Sequence, residues 1–439
     1  MTRDSSQLIR ALGVSAFSLT LVNNIIGSGI FGLPAAAAGI MGPAAPIGYI
    51  GCSILVGLVA LCFAECGSRL PATGGTYVWA RTAFGPGVGS SVGYLMAFAN
   101  LAGSNAAVGA LLMASLRAAM PHLPPWGPAV IVGLIYVLLA LTNIRGVKAG
   151  ARVSMTAALI KVTPLFVLVG AGLFAINREN LRIVEAPSTG ALASGMVLLF
   201  FAFMGIEGPL STIGEVKNPS RTIPRALGLA VLLTGGLYLL VQVVAQGVLG
   251  PHLAQATDAP LAEAAAVVFG PAGRTFLLWA AILSTTGYFT GDILSGPRMF
   301  NALGANGLLP KWLGKVHPDY HTPHVAIAFY VSFCGLLAMT GTFRALAVFA
   351  SAGTLVVYLV SVLGLLRLRT KNIQGDSEPF RAPGGAALPI VCAIIIVGLL
   401  LSLSLKEQVM TLGLALIGAI PGYMRGRESR DARRETTAS

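Results

Sequence analysis

Charged residues are scarce in this chain of 439 residues: Asp, Glu, Lys and Arg make up 10% of it, whereas 55% of the residues are hydrophobic. Water-soluble domains carry about 25% charged residues. The scarcity therefore excludes an ordinary soluble protein and predicts one that crosses a membrane many times. At about 20 residues a span, the chain is long enough for about twelve spans and their loops.

Cysteine and histidine are also few, with five residues of each type. The cysteines lie in or at the ends of apolar runs, without disulfide or metal spacing, so we interpret them as reduced packing residues. The histidines fall in loops or at span ends, and we interpret His317, His321 and His324 as part of a solvated loop rather than a metal site. We therefore expect no metal and no cofactor.

The chain also lacks the residues that chemistry inside a membrane would need. A serine protease needs a Ser and a His that face each other within the membrane. An aspartyl protease needs two intramembrane aspartates, and only Asp292 qualifies. No phosphate-binding loop occurs that could support ATP-driven work. We therefore expect no enzyme, and an intramembrane enzyme and a channel stand as alternatives from other classes.

The basic residues are divided unequally between the two sets of loops. The formal net charge is +13, and the cytoplasmic loops of membrane proteins are rich in Lys and Arg. Both termini fall on the basic side, so we expect both in the cytoplasm and expect no nucleic-acid partner. The basic tail 425–439 is expected to be solvated, with contact to anionic lipid as the alternative. The opposite side carries Arg117, Arg178, Arg182, Arg274, Arg344 and Lys406.

Twelve apolar segments are predicted to span the membrane. The polar loop 69–87 is expected to hold a short interfacial helix, and the Ala-rich piece 260–269 a short helix on the outside. The predicted spans are 12–36, 44–66, 88–115, 128–143, 154–176, 191–213, 226–248, 275–300, 324–341, 345–366, 388–404 and 408–424.

The first span is interrupted near its middle by Gly27, Ser28 and Gly29. Glycine costs a helix about 1 kcal/mol relative to alanine, and three small residues together favour a break. Broken backbone within a membrane is tolerated only where protein buries it or where it lines a polar cavity. We therefore expect an unwound segment whose amides and carbonyls face a site. The alternative is a small-residue patch for close helix packing.

The sixth span carries a second interruption, where Gly205, Glu207, Gly208 and Pro209 occur close together. Proline removes a hydrogen-bond donor and clashes with the preceding turn. Interrupted spans at matching positions of two halves indicate a transporter built from inverted repeats. The predicted units are a cytoplasmic tail 1–11, a first inverted repeat 12–176, a second inverted repeat 191–366, two appended spans 388–424 and a cytoplasmic basic tail 425–439.

A few ionisable residues lie within the predicted spans, and each is a functional candidate because burying an unpaired charge is costly. Lys161 either carries a coupling proton or is a permanent cation bonded to carbonyls freed at the first break. Glu207 either gates or takes a proton, or it only caps freed amides. Asp292 either attracts a cationic group from the cavity or is neutralised by a neighbour such as Lys161 or Arg298.

Five motifs, in this order and spacing, resemble those of the amino acid–polyamine–organocation (APC) transporter superfamily. The resemblance covers nearly the whole chain and is strongest to bacterial amino acid permeases and to basic amino acid/polyamine antiporters. The motifs are GSGIF at 27–31, PATGGTY at 71–77, FAFMGIE at 201–207, EVKNPSRTIPR at 215–225 and NGLLP at 306–310.

The resemblance implies an all-α, leucine-transporter-type fold of two inverted five-helix repeats with broken helices one and six. It also implies that the substrate carboxylate sits on the amides of Ser28 and Gly29, beside Gly27. A helix N-terminus favours an anion, which agrees with this placement. The substrate ammonium would sit on carbonyls freed at the two breaks, near Ile25 and at Met204–Gly205.

The same resemblance assigns further roles. Phe201 would close over the substrate, and Asn24 matches a pocket asparagine. Tyr94 and Glu207 match an inner gate, with Tyr358 as a looser third member. Lys161 matches a span-five lysine that replaces a sodium ion. Phe201 and Asp292 stand where the arginine/agmatine antiporter has tryptophans, which leaves open a neutral substrate or a cation bound by Asp292.

Together these features predict a secondary active transporter of amino acids in the bacterial inner membrane. We expect alternating access, either as a proton-coupled symporter or as an exchanger. A basic amino acid/polyamine antiporter is the alternative. The expected partners are a small amino acid or amine, protons if transport is proton-coupled, and the lipid bilayer. The sequence leaves the oligomeric state open, a homodimer included.

Overall fold

A computed structural model describes residues 12–71, 74–145, 151–210, 213, 216–373 and 378–438. The side chains of Ser28, of residues 151–161 and of residues 428–438 lie outside the described part. Within these ranges the protein is built from helices, and the one strand-like contact is an isolated parallel bridge between Leu12 and Val216. This agrees with the predicted all-α fold.

The first half of the chain forms the helices up to the loop before residue 189. A 3-10 segment, Ser28–Phe31, separates the first two helices, and a π-helix, Leu95–Gly103, joins the fifth to the sixth. The α-helices are α1 (Val14–Ile25), α2 (Leu33–Met41), α3 (Ala45–Arg69), α4 (Gly75–Phe84), α5 (Pro86–Tyr94), α6 (Ser104–Ala119), α7 (Gly127–Ile144) and α8 (Ala151–Gly172).

The second half repeats the pattern of one interrupted segment followed by long helices. Gly270, with φ 72° and ψ −164°, separates the first turns of α12 from its long remainder. The helices are α9 (Thr189–Phe203), α10 (Glu207–Leu210), α11 (Pro219–Leu249), α12 (Pro260–Ala305), α13 (His324–Thr340), α14 (Phe343–Thr370), α15 (Ala387–Leu401) and α16 (Leu405–Ala438).

Seven helices of the described residues are long and apolar enough to cross a membrane, and five further apolar helices are shorter. Two of the shorter ones, α1 and α9, are the first halves of the interrupted segments, so both predicted breaks are present. The two short helices expected in loops are also present, as α4 and as the part of α12 before Gly270. The first predicted span, 12–36, was too short, because helix continues to Met41 beyond the break.

Large apolar side chains cover the outside of the helix assembly. Leu134, Leu232 and Leu416 are 64%, 72% and 68% exposed. A soluble protein rarely exposes so large an apolar surface to water, whereas such a surface is stable in contact with lipid tails. The inside is packed with edge-to-face aromatic pairs, such as Phe63 with Tyr358 at 4.8 Å between ring centroids. The protein is a multi-pass membrane protein.

The loop between α14 and α15 is fixed to the end of α3 by buried charges. The Glu65 carboxylate accepts hydrogen bonds from Arg69 Nε at 2.9 Å, from Arg369 Nε at 2.8 Å and from the Ala382 amide at 2.8 Å. The Ser68 hydroxyl accepts one from the Phe380 amide at 2.9 Å. One carboxylate therefore joins three separate parts of the chain.

Candidate functional site

A cavity of about 510 Å³ lies where the two helix breaks meet the π-helix, α11 and α12. Most of the residues that the sequence predicts for a binding site line this cavity. Its polar lining and its position among helices are typical of small-molecule sites in helical proteins. The predicted residues found there are Asn24, Ile25, Gly27, Gly29, Phe201, Met204, Gly205, Glu207 and Asp292.

The first break leaves main-chain groups exposed to the cavity. After α1 ends at Ile25, Gly27 is extended (φ −87°, ψ 179°) and the 3-10 segment begins at Ser28. A 3-10 helix bonds each amide to the third carbonyl before it, and the first such acceptor here is the carbonyl of Gly27, so the amides of Ser28 and Gly29 have no partner within that segment. The Ile25 carbonyl accepts hydrogen bonds from the Gly27 amide at 2.7 Å and from the Tyr238 hydroxyl at 2.8 Å.

The second break touches the first. After α9 ends at Phe203, Met204 is extended and Gly205 has φ +110°, before α10 begins at Glu207. A Cβ atom on Gly205 would lie 2.6 Å from the Asn24 carbonyl oxygen. Only glycine fits here, because it combines a positive φ with an approach this close. The two interrupted backbones therefore pack directly against each other at one side of the cavity.

Glu207 connects the second break to the helices behind it. Its side chain is buried, and Oε1 accepts hydrogen bonds from Asn100 Nδ2 at 2.6 Å and from the Gly205 amide at 3.1 Å. Oε2 accepts one from the Tyr358 hydroxyl at 2.8 Å. Asn100 lies in the π-helix, a distortion that often marks functional sites. Glu207 thus caps an amide freed at the break, as the simpler interpretation predicts, and also binds Tyr358.

The three residues predicted as an inner gate are not all joined. Tyr358 binds Glu207, whereas the Tyr94 hydroxyl donates to the carbonyl of Leu308 in the loop after α12. Tyr94 and Tyr358 lie outside the cavity lining. In this conformation, Tyr94 therefore ties α5 to that loop instead of contacting Glu207.

Asp292 lies in the cavity wall opposite the breaks. Its Oδ2 accepts short hydrogen bonds from Asn105 Nδ2 at 2.6 Å and from the Tyr330 hydroxyl at 2.5 Å. Its Oδ1 accepts a longer one from the Tyr288 hydroxyl at 3.2 Å. Arg298, one proposed neutralising partner, forms no ion pair with Asp292 among the described residues. The other, Lys161, has a side chain outside the described part.

Phe201 covers one end of the cavity. A Cβ atom on Gly29 would lie 2.7 Å from Phe201 Cε1, so the ring rests directly on the first break. The ring also packs edge-to-face against Phe343 with centroids 5.9 Å apart. Several lining residues away from this end are exposed, among them Thr20, Asn24, Thr290 and Gly291. The cavity is closed at the Phe201 end and open at the other.

The sequence alone assigns no role to four polar residues that the structure places in the cavity wall or directly behind it. Asn100, Tyr238 and Tyr288 line the cavity, and Asn105 holds the Asp292 carboxylate from behind the wall. A usable signal existed for the asparagines, because an amide side chain in an apolar span needs a partner. The sequence contains no comparable signal for the tyrosines, which also occur as packing residues.

The sequence profile of a family described as amino acid permease matches residues 12–420. The chain is 26% identical over 450 residues to the branched-chain amino acid permease BcaP of Bacillus subtilis (97% of this chain, 95% of the relative). It is 26% identical over 432 residues to the serine/threonine exchanger SteT of the same organism (96% and 97%). It is 26% identical over 390 residues to the vacuolar cationic amino acid transporter 4 of Arabidopsis thaliana (83% and 64%).

Proposed function

The chain belongs to the amino acid permease family of the APC superfamily, and from this premise we propose that it moves amino acids across a membrane by alternating access. The single observation that supports this most is the contact of the two helix breaks at the cavity, through Gly205 and Asn24. Broken helices that meet at a central cavity provide main-chain groups for a zwitterion, and two helix bundles can rock around such a site.

In this proposal the main chain binds the groups that all amino acids share. The substrate carboxylate binds the amides of Ser28 and Gly29, because the start of a helix favours an anion. The substrate ammonium binds carbonyls near Ile25 and Met204. The Ile25 carbonyl oxygen itself already accepts from the Gly27 amide and from Tyr238, so at the first break the ammonium binds a carbonyl next to it. Side chains such as Asn24 then act on the variable part of the substrate.

The residues around the cavity fit two gates. Phe201 is the outer cover, since it seals one end of the cavity against Phe343. Glu207 and Tyr358, with Tyr94, form the inner gate, which opens and closes as α10 moves relative to α14. With the termini in the cytoplasm, the exposed lining residues Thr20 and Asn24 lie on the cytoplasmic half of the first span. The structure would then be the inward-open state.

The wider arrangement is part of the same proposal. Twelve spans are obtained when the two interrupted segments are each counted as one span, with inverted repeats over 12–176 and 191–366 and two further spans over 388–424. The positive-inside rule places both termini in the cytoplasm of a bacterial inner membrane. Light scattering in detergent would distinguish a homodimer from a monomer.

Uptake into liposomes tests the function. Purified protein would be reconstituted and supplied with labelled leucine, serine or lysine, under a proton gradient in empty vesicles and without one in preloaded vesicles. Uptake that needs the preload indicates an exchanger, and uptake driven by the gradient indicates a proton symporter. If a folded protein neither binds nor transports any of the twenty common amino acids, the proposal is wrong.

Replacing Gly29 by valine tests the site. The added carbons would collide with the Phe201 ring, which lies 2.7 Å from the position of a Cβ atom. We expect at least a tenfold loss of uptake with a normal elution profile in size-exclusion chromatography. The matched control is Gly236→Ala in α11, where a Cβ atom meets nothing within 4 Å. Normal uptake by Gly29→Val would show that the substrate binds elsewhere.

Replacing Lys161 by alanine distinguishes its two roles. If Lys161 carries the coupling proton, the variant should still exchange substrate but lose its response to a proton gradient. If it is a structural cation, the folded variant should be inactive at every pH. Uptake measured between pH 5 and pH 8 separates these results, and wild-type behaviour would remove Lys161 from the mechanism.

A further inference from the structure

The Asp292 carboxylate lies in the wall of the cavity, and no side chain of opposite charge in the described part of the chain pairs with it. The residue is 8% exposed, and both Asp292 and the neighbouring Tyr288 line the cavity. Removing a carboxylate from water is costly unless a cation or a set of hydrogen bonds replaces the water. Hydrogen bonds hold it here, and they are distributed unequally between its two oxygens.

One oxygen is fully used by the protein. Oδ2 accepts from Asn105 Nδ2 at 2.6 Å and from Tyr330 at 2.5 Å, so both of its lone pairs are occupied. Asn105 is itself fixed, because Tyr136 donates to its Oδ1 at 2.6 Å. These donors belong to α6, α7 and α13, which hold the carboxylate in one orientation. Oδ1 accepts one longer hydrogen bond, from the Tyr288 hydroxyl at 3.2 Å, and keeps a lone pair for a ligand.

The described groups that face Asp292 from the surrounding helices carry no positive charge. They are Asn105 from α6, Tyr136 from α7, Tyr288 from α12 itself, and Tyr330 and Cys334 from α13. Helix α8 also packs on α12, and its Lys161 side chain lies outside the described part. Among the described residues, no basic side chain forms an ion pair with Asp292.

We propose that Asp292 Oδ1 is the subsite for a positively charged group at the end of the substrate's side chain. This rests on the proposed function, in which the two breaks bind the carboxylate and ammonium that all amino acids share. The preferred substrates are then amino acids with a side-chain ammonium or guanidinium. A cation placed on Oδ1 turns a weak hydrogen bond into a charge-assisted one and neutralises the buried charge.

Tyr288 and Tyr330 have different parts in this subsite. Tyr330 is a positioning residue, because its short bond holds Oδ2 and fixes the direction of Oδ1. Tyr288 occupies Oδ1 when no ligand is bound and has to turn away when the cation arrives. Tyr330→Phe should therefore weaken lysine binding, whereas Tyr288→Phe removes a competitor for Oδ1 and should strengthen it.

Lysine and norleucine provide a test on the unmodified protein, because they share the same carbon chain and differ in the terminal amine. Binding to the detergent-solubilised full chain would be measured by thermal shift and by isothermal titration calorimetry. We expect lysine to bind at least tenfold more tightly than norleucine. Equal affinities, or tighter binding of norleucine, would overturn the subsite while leaving amino acid transport intact. Binding of neither, nor of any other amino acid, would overturn the proposed function and the subsite with it.

Asp292→Asn removes the charge and keeps the shape of the side chain. The ratio of lysine to norleucine affinity should fall at least tenfold. An unchanged ratio in a folded variant would overturn the proposal, and it would mean that Asp292 is satisfied within the protein, by Lys161 for instance. If this variant does not fold, the proposal is tested by the lysine and norleucine affinities of the wild type and of Tyr330→Phe.

Discussion

At the scale of single residues, the site depends on two glycines that have different physical reasons to be glycine. Gly29 leaves room for the Phe201 ring, so its constraint is steric and involves a side chain that can move. Gly205 has φ +110° and faces the Asn24 carbonyl, so its constraint is both conformational and steric. A residue other than glycine that is held at such a positive φ loses about 1–3 kcal/mol of stability. Gly205 should therefore be the less replaceable of the two.

Gly205→Ala should reduce uptake more than tenfold, because a Cβ atom 2.6 Å from the Asn24 carbonyl oxygen must push the two breaks apart. Gly29→Ala should be milder and should be partly rescued by Phe201→Leu, which removes the ring. No such rescue is expected for Gly205→Ala. Both the loss and the rescue are measured as uptake by the single and double variants in liposomes, normalised to the amount of folded protein. Rescue of Gly205→Ala by Phe201→Leu would contradict the assignment.

At the scale of helices, Glu65 holds the end of α3 to the end of α14 and to the following loop. Its side chain is 1% exposed, and it is paired with Arg69 and Arg369. Arg69 and Arg369 also donate to the carbonyls of Ile373 and Gly385 at the two ends of the loop. A buried carboxylate that loses one partner is destabilised far more than an exposed pair is by the same change. The cluster therefore fixes the end of α3 relative to α14, the helix whose Tyr358 binds Glu207.

Arg369→Gln should destabilise the folded protein by about 3 kcal/mol, because it leaves the Glu65 charge with fewer partners. The apparent melting temperature in detergent should fall by about 3–6 °C for a chain of this size. The control is Arg182→Gln, which breaks the Arg182–Glu179 pair whose side chains are 74% and 77% exposed. That change should shift the melting temperature by less than 1 °C. Equal shifts in the two variants would contradict a structural role for the cluster.

At the scale of the whole molecule, the cavity opens in one direction only. Phe201 and Phe343 close one end, and the exposed residues Thr20 and Asn24 lie towards the other. The five cysteines are all buried and free. A thiol introduced into the cavity should therefore be the main reactive one, and the side from which it reacts reports which way the site is open.

Thr20→Cys should react with a membrane-impermeant maleimide in inside-out vesicles at least tenfold faster than in right-side-out vesicles. The reason is that Thr20 is exposed and lines the cavity on the half of the first span assigned to the cytoplasmic side. Saturating substrate should slow the reaction. The wild-type protein, with buried thiols only, gives the background rate. Faster labelling from the outer side would reverse the proposed direction of opening.

Much of the fold could be predicted because the signals for it are local. Long apolar runs predict spans, and Gly27-Ser28-Gly29 and Gly205 to Pro209 predict breaks from helix energetics alone. The end of the first span was predicted five residues too early, because the helix continues to Met41 although the prediction ended at 36. The π-helix over Leu95–Gly103 was not predicted, because its sequence is as apolar as that of an ordinary helix.

The sequence by itself determined the membrane class, the family, the two breaks and nine of the residues that line the cavity. Only the tertiary structure decided which polar groups meet. Asn100 and Glu207 are 107 residues apart and bonded, as are Asn105 and Asp292 at 187 residues. Tyr94 bonds Leu308 instead of its expected partner. The reason is physical: hydropathy and helix propensity act along the chain, whereas hydrogen bonds between helices depend on how the finished helices rotate and pack.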